Sequence, residues 1–201
     1  VYSLRETGKV VANCHKLPAS LFDRRRVGVD EMIRGWIPLI ERLSDSNPEL
    51  RIMFTVSPIR HLRDGAHENQ LSKSVLLLFV DELCRMYPDR CIYFPSYEIV
   101  MDELRDYRFY DAGMTHPNEQ AIRYIWERFS EACFSEETQT LNREWERLEK
   151  ALNHRPLTPD KDAFRDFTMQ NLFKLKKIWE KYSYFDLSKE IDSLELFLKT
   201  L

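Results

Sequence analysis

The sequence predicts an α/β fold: three layers built on a parallel sheet, followed by a helical C-terminal extension. Three observations predict it. Short apolar runs alternate with amphipathic helical stretches over residues 1–134, in the order strand, helix, strand, helix, strand that builds parallel βαβ units. The two clearest runs each stop at a proline, RIMFTVS before Pro58 and RCIYF before Pro95. From Ser135 onward only helical periodicity remains. The expected domains are therefore 1–134 and 135–201.

The elements follow in order. Thr7-Gly8 is a turn signal, and Lys9–Asn13 (KVVAN) reads as a short strand after it. Asp30 to Ser44 places Ile33, Trp36, Ile37, Ile40 and Leu43 on one helical face, with Pro38 expected to kink the helix or end a first piece of it. Arg51 to Ser57 is apolar and β-branched, hence a buried strand. Ile59 to Leu71 is polar and reads as a loop. Ser72 to Tyr87 is apolar on most sides and reads as a buried helix. Arg90 to Phe94 is a second buried strand, and Ser96 to Leu104 a short helix capped by Ser96. Arg105 to Pro117 reads as a loop, with Pro117 in the first turn of a helix running to about Ala132.

In the extension, Leu141, Trp145, Leu148 and Leu152 share a face, as do Leu187, Ile191, Leu194 and Leu198. A third stripe runs from Phe164 to Trp179. Thr158-Pro159 and Asp186 are helix starts. The extension either covers the sheet domain or forms a homodimer contact.

Composition sets bounds on function. Hydrophobic residues make up 43% and charged residues 31%, an ordinary globular balance. The net charge of -3 argues against a general nucleic-acid binder. No apolar run is long enough to span a bilayer, so no membrane partner is expected and the compartment reads as cytoplasmic, with an upstream targeting signal left open. Four cysteines, Cys14, Cys84, Cys91 and Cys133, lack close pairing and read as buried free thiols. The first residue is Val1 and the first methionine Met32, so the N-terminus reads as cut.

Three clusters could carry chemistry. His116, in Met114-Thr115-His116-Pro117-Asn118, stands at a loop-to-helix junction after the last βα unit, where open α/β sheets bind ligands. An imidazole there can take a proton from a hydroxyl nucleophile and return it to a leaving group; the plainer role is a helix cap. Asn13, His15 and Lys16 follow the first strand, where Asn13 is either an oxyanion donor or a turn former. His61, Asp64 and His67, with Arg60 nearby, follow the second strand. They read as substrate-binding groups, as structural hydrogen bonders, or as the ligands of a metal-dependent hydrolase. Trp36, Trp126, Trp145 and Trp179 read as core, and His154 as a solvated or capping residue.

Several separated motifs occur in order: Val11 to Pro18 (VANCHKLP), Phe54 to His61 (FTVSPIRH), Asp64 to Lys73 (DGAHENQLSK), Phe94 to Glu98 (FPSYE), and Tyr107-Arg108-Phe109-Tyr110 through His116-Pro117-Asn118. Together they resemble the GSCFA family within the SGNH/GDSL hydrolases, over about residues 1–155. The resemblance implies a flavodoxin-like SGNH sheet with its N-terminal strands missing, because the Gly-Ser-Cys-Phe-Ala motif does not occur here and would lie upstream of Val1. It implies an ester hydrolase or acyl transferase, with an upstream serine as nucleophile and His116 as base. The expected substrate is an acylated small molecule or carbohydrate, and no cofactor is implied. SGNH enzymes carry an aspartate three residues before the histidine. Here that position is Gly113, and Asp111, five before, becomes the expected orienting acid if Gly113 lets the loop bulge. The alternative is a catalytically inactive SGNH-shaped binding module.

Overall fold

A computed structural model describes residues 1–12, 14, 16–153 and 161–200. The chain divides into two compact units, residues 1–129 and the residues from 130 onward.

The first unit opens with an antiparallel sheet of β1 (Tyr2–Leu4), β2 (Val10–Val11) and β3 (Phe22–Arg24), in the order β2-β1-β3. Gly8 takes a φ of 66°, which a residue with a Cβ rarely adopts, and its N–H donates to the Leu4 carbonyl at 2.7 Å to close the hairpin. The expected first strand of a parallel sheet is thus instead one arm of a hairpin. A turn signal followed by a short apolar run does not say with which strand the run pairs.

The helix α1 (Val29–Ser46) runs through Pro38 rather than ending a first piece there. Beyond it lie β4 (Ile52–Phe54), α2 (Ala66–Met86) and β5 (Cys91–Tyr93). Strands β4 and β5 pair in parallel, Ile52 with Cys91 and Phe54 with Tyr93, so this part of the expected βαβ pattern is present. Among the described residues the parallel sheet has two strands. One face packs on α1 and α2 through Ile40, Phe79, Val80, Leu83 and Cys91, with Trp36 set edge-on to Phe54 at 5.1 Å. The alternate residues Met53 and Ile92 are exposed. Helix α2 begins six residues earlier than its apolar run, at Ala66, because Gly65, with φ 81°, turns the chain into it.

Ser96 is buried and does not cap the helix α3 (Ser96–Glu98). Its hydroxyl donates to the Val56 carbonyl at 3.0 Å and also meets the Thr55 hydroxyl, tying the ends of the two parallel strands together. A π-helical turn, Ile99–Leu104, prolongs α3. Helix α4 (Glu119–Cys133) starts two residues after Pro117.

The second unit is helical. Helices α5 (Glu136–Leu152), α6 (Lys161–Lys181) and α7 (Ser188–Thr200) bury Leu141, Leu148, Leu175, Ile178, Tyr182, Leu187 and Ile191 together. Ser135 caps α5 by accepting from the Thr138 N–H at 3.2 Å, and Asp186 accepts from the Ser188 N–H at 3.1 Å ahead of α7. The expected start at Thr158-Pro159 and the residue His154 lie outside the described residues.

Two composition-based expectations need correcting. Of the free cysteines only Cys91 is buried, while Cys133 is exposed. Trp36 and Trp145 pack against the two cores, but Trp126 and Trp179 stand 45% and 38% exposed. No helix among the described residues is long and apolar enough to cross a membrane.

Candidate active site

The segment before α4 is a closed loop. Tyr110 and Pro117 pair as an isolated antiparallel bridge. Inside it the Asp111 N–H donates to the His116 carbonyl at 2.8 Å, and the Met114 N–H to the Asp111 carbonyl at 2.9 Å. Met114 adopts φ 55°, so the left-handed residue of this turn is Met114 and not Gly113. A Cβ on Gly113 would meet the Asp111 Oδ1 at 3.5 Å, an ordinary contact. The loop therefore bulges as Asp111 requires, but through a different residue from the glycine that signalled it.

Asn118 fixes the far end. Its Oδ1 accepts from the Ala121 N–H at 3.0 Å and caps α4, while its Nδ2 donates to the Arg108 carbonyl at 2.6 Å. With Asn118 as the cap, His116 is free of that duty. Its side chain is 58% exposed, and its Nδ1 lies 3.6 Å from the Asp111 Oδ2. At that separation the two attract as charge and dipole without forming a hydrogen bond.

The Asp111 carboxylate has firmer partners in the backbone. Its Oδ1 accepts from the Thr115 N–H at 3.2 Å and the His116 N–H at 3.3 Å. The Thr115 N–H chiefly, then the His116 N–H and the neighbouring imidazole, hold the Asp111 carboxyl below its ordinary value. The folded-state value lies below that of the unfolded chain. The carboxylate thus stabilises the loop at any pH above the ordinary aspartate range, and this contribution is lost as pH falls through the depressed folded value. In thermal unfolding over about pH 2 to 5, Asp111→Asn should lie below the wild type at the upper end, and the gap should close toward the lower end. A gap that stays constant with pH would show that the carboxylate does not hold this loop.

The loop rests on the chain leaving β4. The Arg60 N–H donates to the Thr115 carbonyl at 3.0 Å, and the Arg60 guanidinium lies 5.5 Å from the ring centres of both Tyr107 and Tyr110. Burial pushes the Tyr110 hydroxyl above its ordinary value. Arg60 and His116 thus sit on adjoining loops, and the Arg60 loop leaves the carboxyl end of a parallel strand.

The other expected site residues divide. Asn13 and His15 lie outside the described residues. His61 and His67 are exposed, and the His61 N–H donates to the Asn69 Oδ1 at 2.9 Å. The Asp64 carboxylate accepts from Nη1 and Nη2 of Arg24, which hold it below its ordinary value. No three His, Cys, Asp or Glu side chains among the described residues are grouped to share a cation. The metal alternative built on His61, Asp64 and His67 therefore loses its carboxylate to an arginine from β3.

One residue escaped the sequence reading of chemistry. Lys73 is 2% exposed, and its Nζ donates to the Ser57 carbonyl at 2.6 Å. The signal was its position: Lys73 begins the stripe that continues through Leu76, Leu77, Val80 and Leu83 at helical spacing.

Comparison with known families gives two matches. Residues 1–129 match the model described as the GSCFA family, and residues 145–200 match the GSCFA domain protein, C-terminal domain. No curated protein matches, and no solved structure matches.

Proposed function

The chain belongs to the GSCFA family, and from that premise we propose that it supplies the base half of an SGNH-type ester hydrolase or acyl transferase. The observation that carries the reading is an exposed imidazole, His116, beside the Asp111 carboxylate, on a loop tied to the chain leaving β4. In this reading a serine upstream of Val1, within the Gly-Ser-Cys-Phe-Ala motif, attacks the acyl carbonyl. His116 takes the hydroxyl proton as the Oγ–carbon bond forms. It returns that proton to the departing alkoxide as the ester bond breaks, leaving an acyl-serine. Water or an acceptor hydroxyl then attacks the acyl-serine, giving its proton to His116, which passes it to the serine oxygen. Asp111 stays ionised and steadies the imidazolium by charge. Asn13, with backbone amides, is the proposed donor to the oxyanion. Arg60, His61, His67 and His15 are proposed to line the substrate, an acylated small molecule or carbohydrate.

The test uses the protein extended to include that motif, assayed on p-nitrophenyl acetate. Saturable hydrolysis that His116→Ala removes supports the reading. Equal rates in the two proteins would leave the inactive SGNH-shaped module standing instead. The 3.6 Å separation of His116 and Asp111 favours that second reading, since no hydrogen bond from the described residues fixes the imidazole tautomer.

The helical unit is proposed to form a homodimer contact. Met169 and Phe173 on α6 and Leu196 on α7 are 45%, 60% and 65% exposed, apolar side chains that a second copy would cover. Analytical ultracentrifugation should show a dimer that Phe173→Glu dissociates. A monomer at every concentration would remove the proposal.

A further inference from the structure

A second polar feature lies beside the loop that holds His116. A cavity of about 130 Å3 opens between the chain after β4, the start of α2 and α3. That is about four waters' worth of space, room for a phosphate or a short carboxylate. Arg60, Gly65, Asn69, Gln70, Lys73 and Tyr97 contribute to its wall, and no aspartate or glutamate does.

Two carboxamides of this wall already have their oxygens engaged. The Asn69 Oδ1 is occupied by the His61 N–H at 2.9 Å, and the Gln70 Oε1 by the Tyr97 hydroxyl at 3.3 Å. Both carboxamides are left presenting NH2 groups. Gly65 stands at the N-cap of the 21-residue helix α2, and no side chain caps the amides of its first turn. The Arg60 guanidinium lies over two tyrosine rings and has no carboxylate partner among the described residues.

Lys73 decides the matter. Its ammonium is buried against a single carbonyl, that of Ser57, with no carboxylate partner among the described residues. The two acids just before it in the chain are already paired, Asp64 with Arg24 and Glu68 with Arg26. Burying a charge without a counter-charge is costly, so such groups are normally paired or replaced. Burial also pushes the Lys73 amine below its ordinary value. A missing negative charge, a cavity of donors and a second unpaired cation point to the same occupant.

We propose that this cavity binds a small oxyanion, the phosphate or carboxylate group of a ligand, held by Lys73, Arg60 and the first turn of α2. The proposal does not depend on hydrolysis. It is tested on the 201-residue chain by thermal unfolding against inorganic phosphate and against acetate, with chloride at matched ionic strength as the reference. The wild type should gain a saturable rise in unfolding temperature with phosphate, acetate or both. A phosphate response alone assigns a phosphate group, and an acetate response alone a carboxylate. Lys73→Met keeps the apolar stem and removes the charge; Arg60→Gln removes the second cation. Each should weaken the apparent anion affinity at least about tenfold. If Lys73→Met does not fold, Arg60→Gln decides in the same way. No response in the wild type beyond that to chloride, or an undiminished response in the variants, overturns the proposal.

Discussion

If the proposed mechanism holds, replacing His116 by alanine should lower kcat on an activated ester by about 10²–10⁴-fold, the contribution of a positioned general base, in a protein extended to carry a Gly-Ser-Cys-Phe-Ala segment ahead of Val1. The expectation rests on how little else His116 does. Its side chain is 58% exposed, and Asn118 rather than His116 caps α4. The loop keeps its shape through backbone bonds that alanine retains, Asp111 N–H to the 116 carbonyl and the 116 N–H to the Asp111 carboxylate. The variant should therefore fold like the wild type, so a lost rate reports chemistry. Asp111→Asn should cost less, about tenfold, well short of what a hydrogen-bonded triad acid contributes, because the carboxylate and imidazole stand 3.6 Å apart. A His116→Ala protein that hydrolyses p-nitrophenyl acetate at the wild-type rate would remove this histidine from the mechanism.

Leu83→Ala should destabilise the first unit by about 3–5 kcal/mol, within the range for a buried leucine that leaves a cavity. Leu83 is fully buried at the meeting of α2 with Ile40, Val56, Phe79 and Cys91. Those neighbours are large, and the parallel pairing of β4 with β5 fixes the sheet beneath them, so the site has little room to collapse. The chain has two units, so one unfolding midpoint cannot stand for both. Hydrogen exchange at the β4 and β5 amides isolates the first unit: those amides should lose protection by about two to four powers of ten, while Leu141 and Leu148 in α5 keep theirs. Equal loss in both units would show that they unfold together.

Local patterns carried much of this structure, because each depends only on near neighbours in the sequence. The stripe through Ile33, Trp36 and Ile40 marked α1, and the runs before Pro58 and Pro95 marked β4 and β5. Asp186 marked a helix start. The order of those runs implied a parallel pairing, and the pairing of Ile52 with Cys91 is parallel. His116 was marked by its place at a loop-to-helix junction, whereas Asp111 entered only as the acid that the family resemblance implies. The structure then set them 3.6 Å apart.

What spacing could not reach were contacts between residues far apart in the chain. Val10–Val11 reads the same whether it joins a parallel sheet or pairs back on Tyr2–Leu4. Ser96 looked like a cap, but the Val56 carbonyl, 40 residues away, claims its hydroxyl. Asp64 sat among histidines in sequence and is bound in space by Arg24. Lys73 looked like a polar break in an apolar stripe, and only packing revealed a buried ammonium held by one carbonyl. The sequence by itself determined the helical faces, the two parallel strands and the loop that bears His116, since propensity and periodicity act within a few residues. The tertiary structure alone decided which charges are paired and that Lys73 and Arg60 have no carboxylate partner among the described residues, since that depends on what the fold brings within a few ångströms.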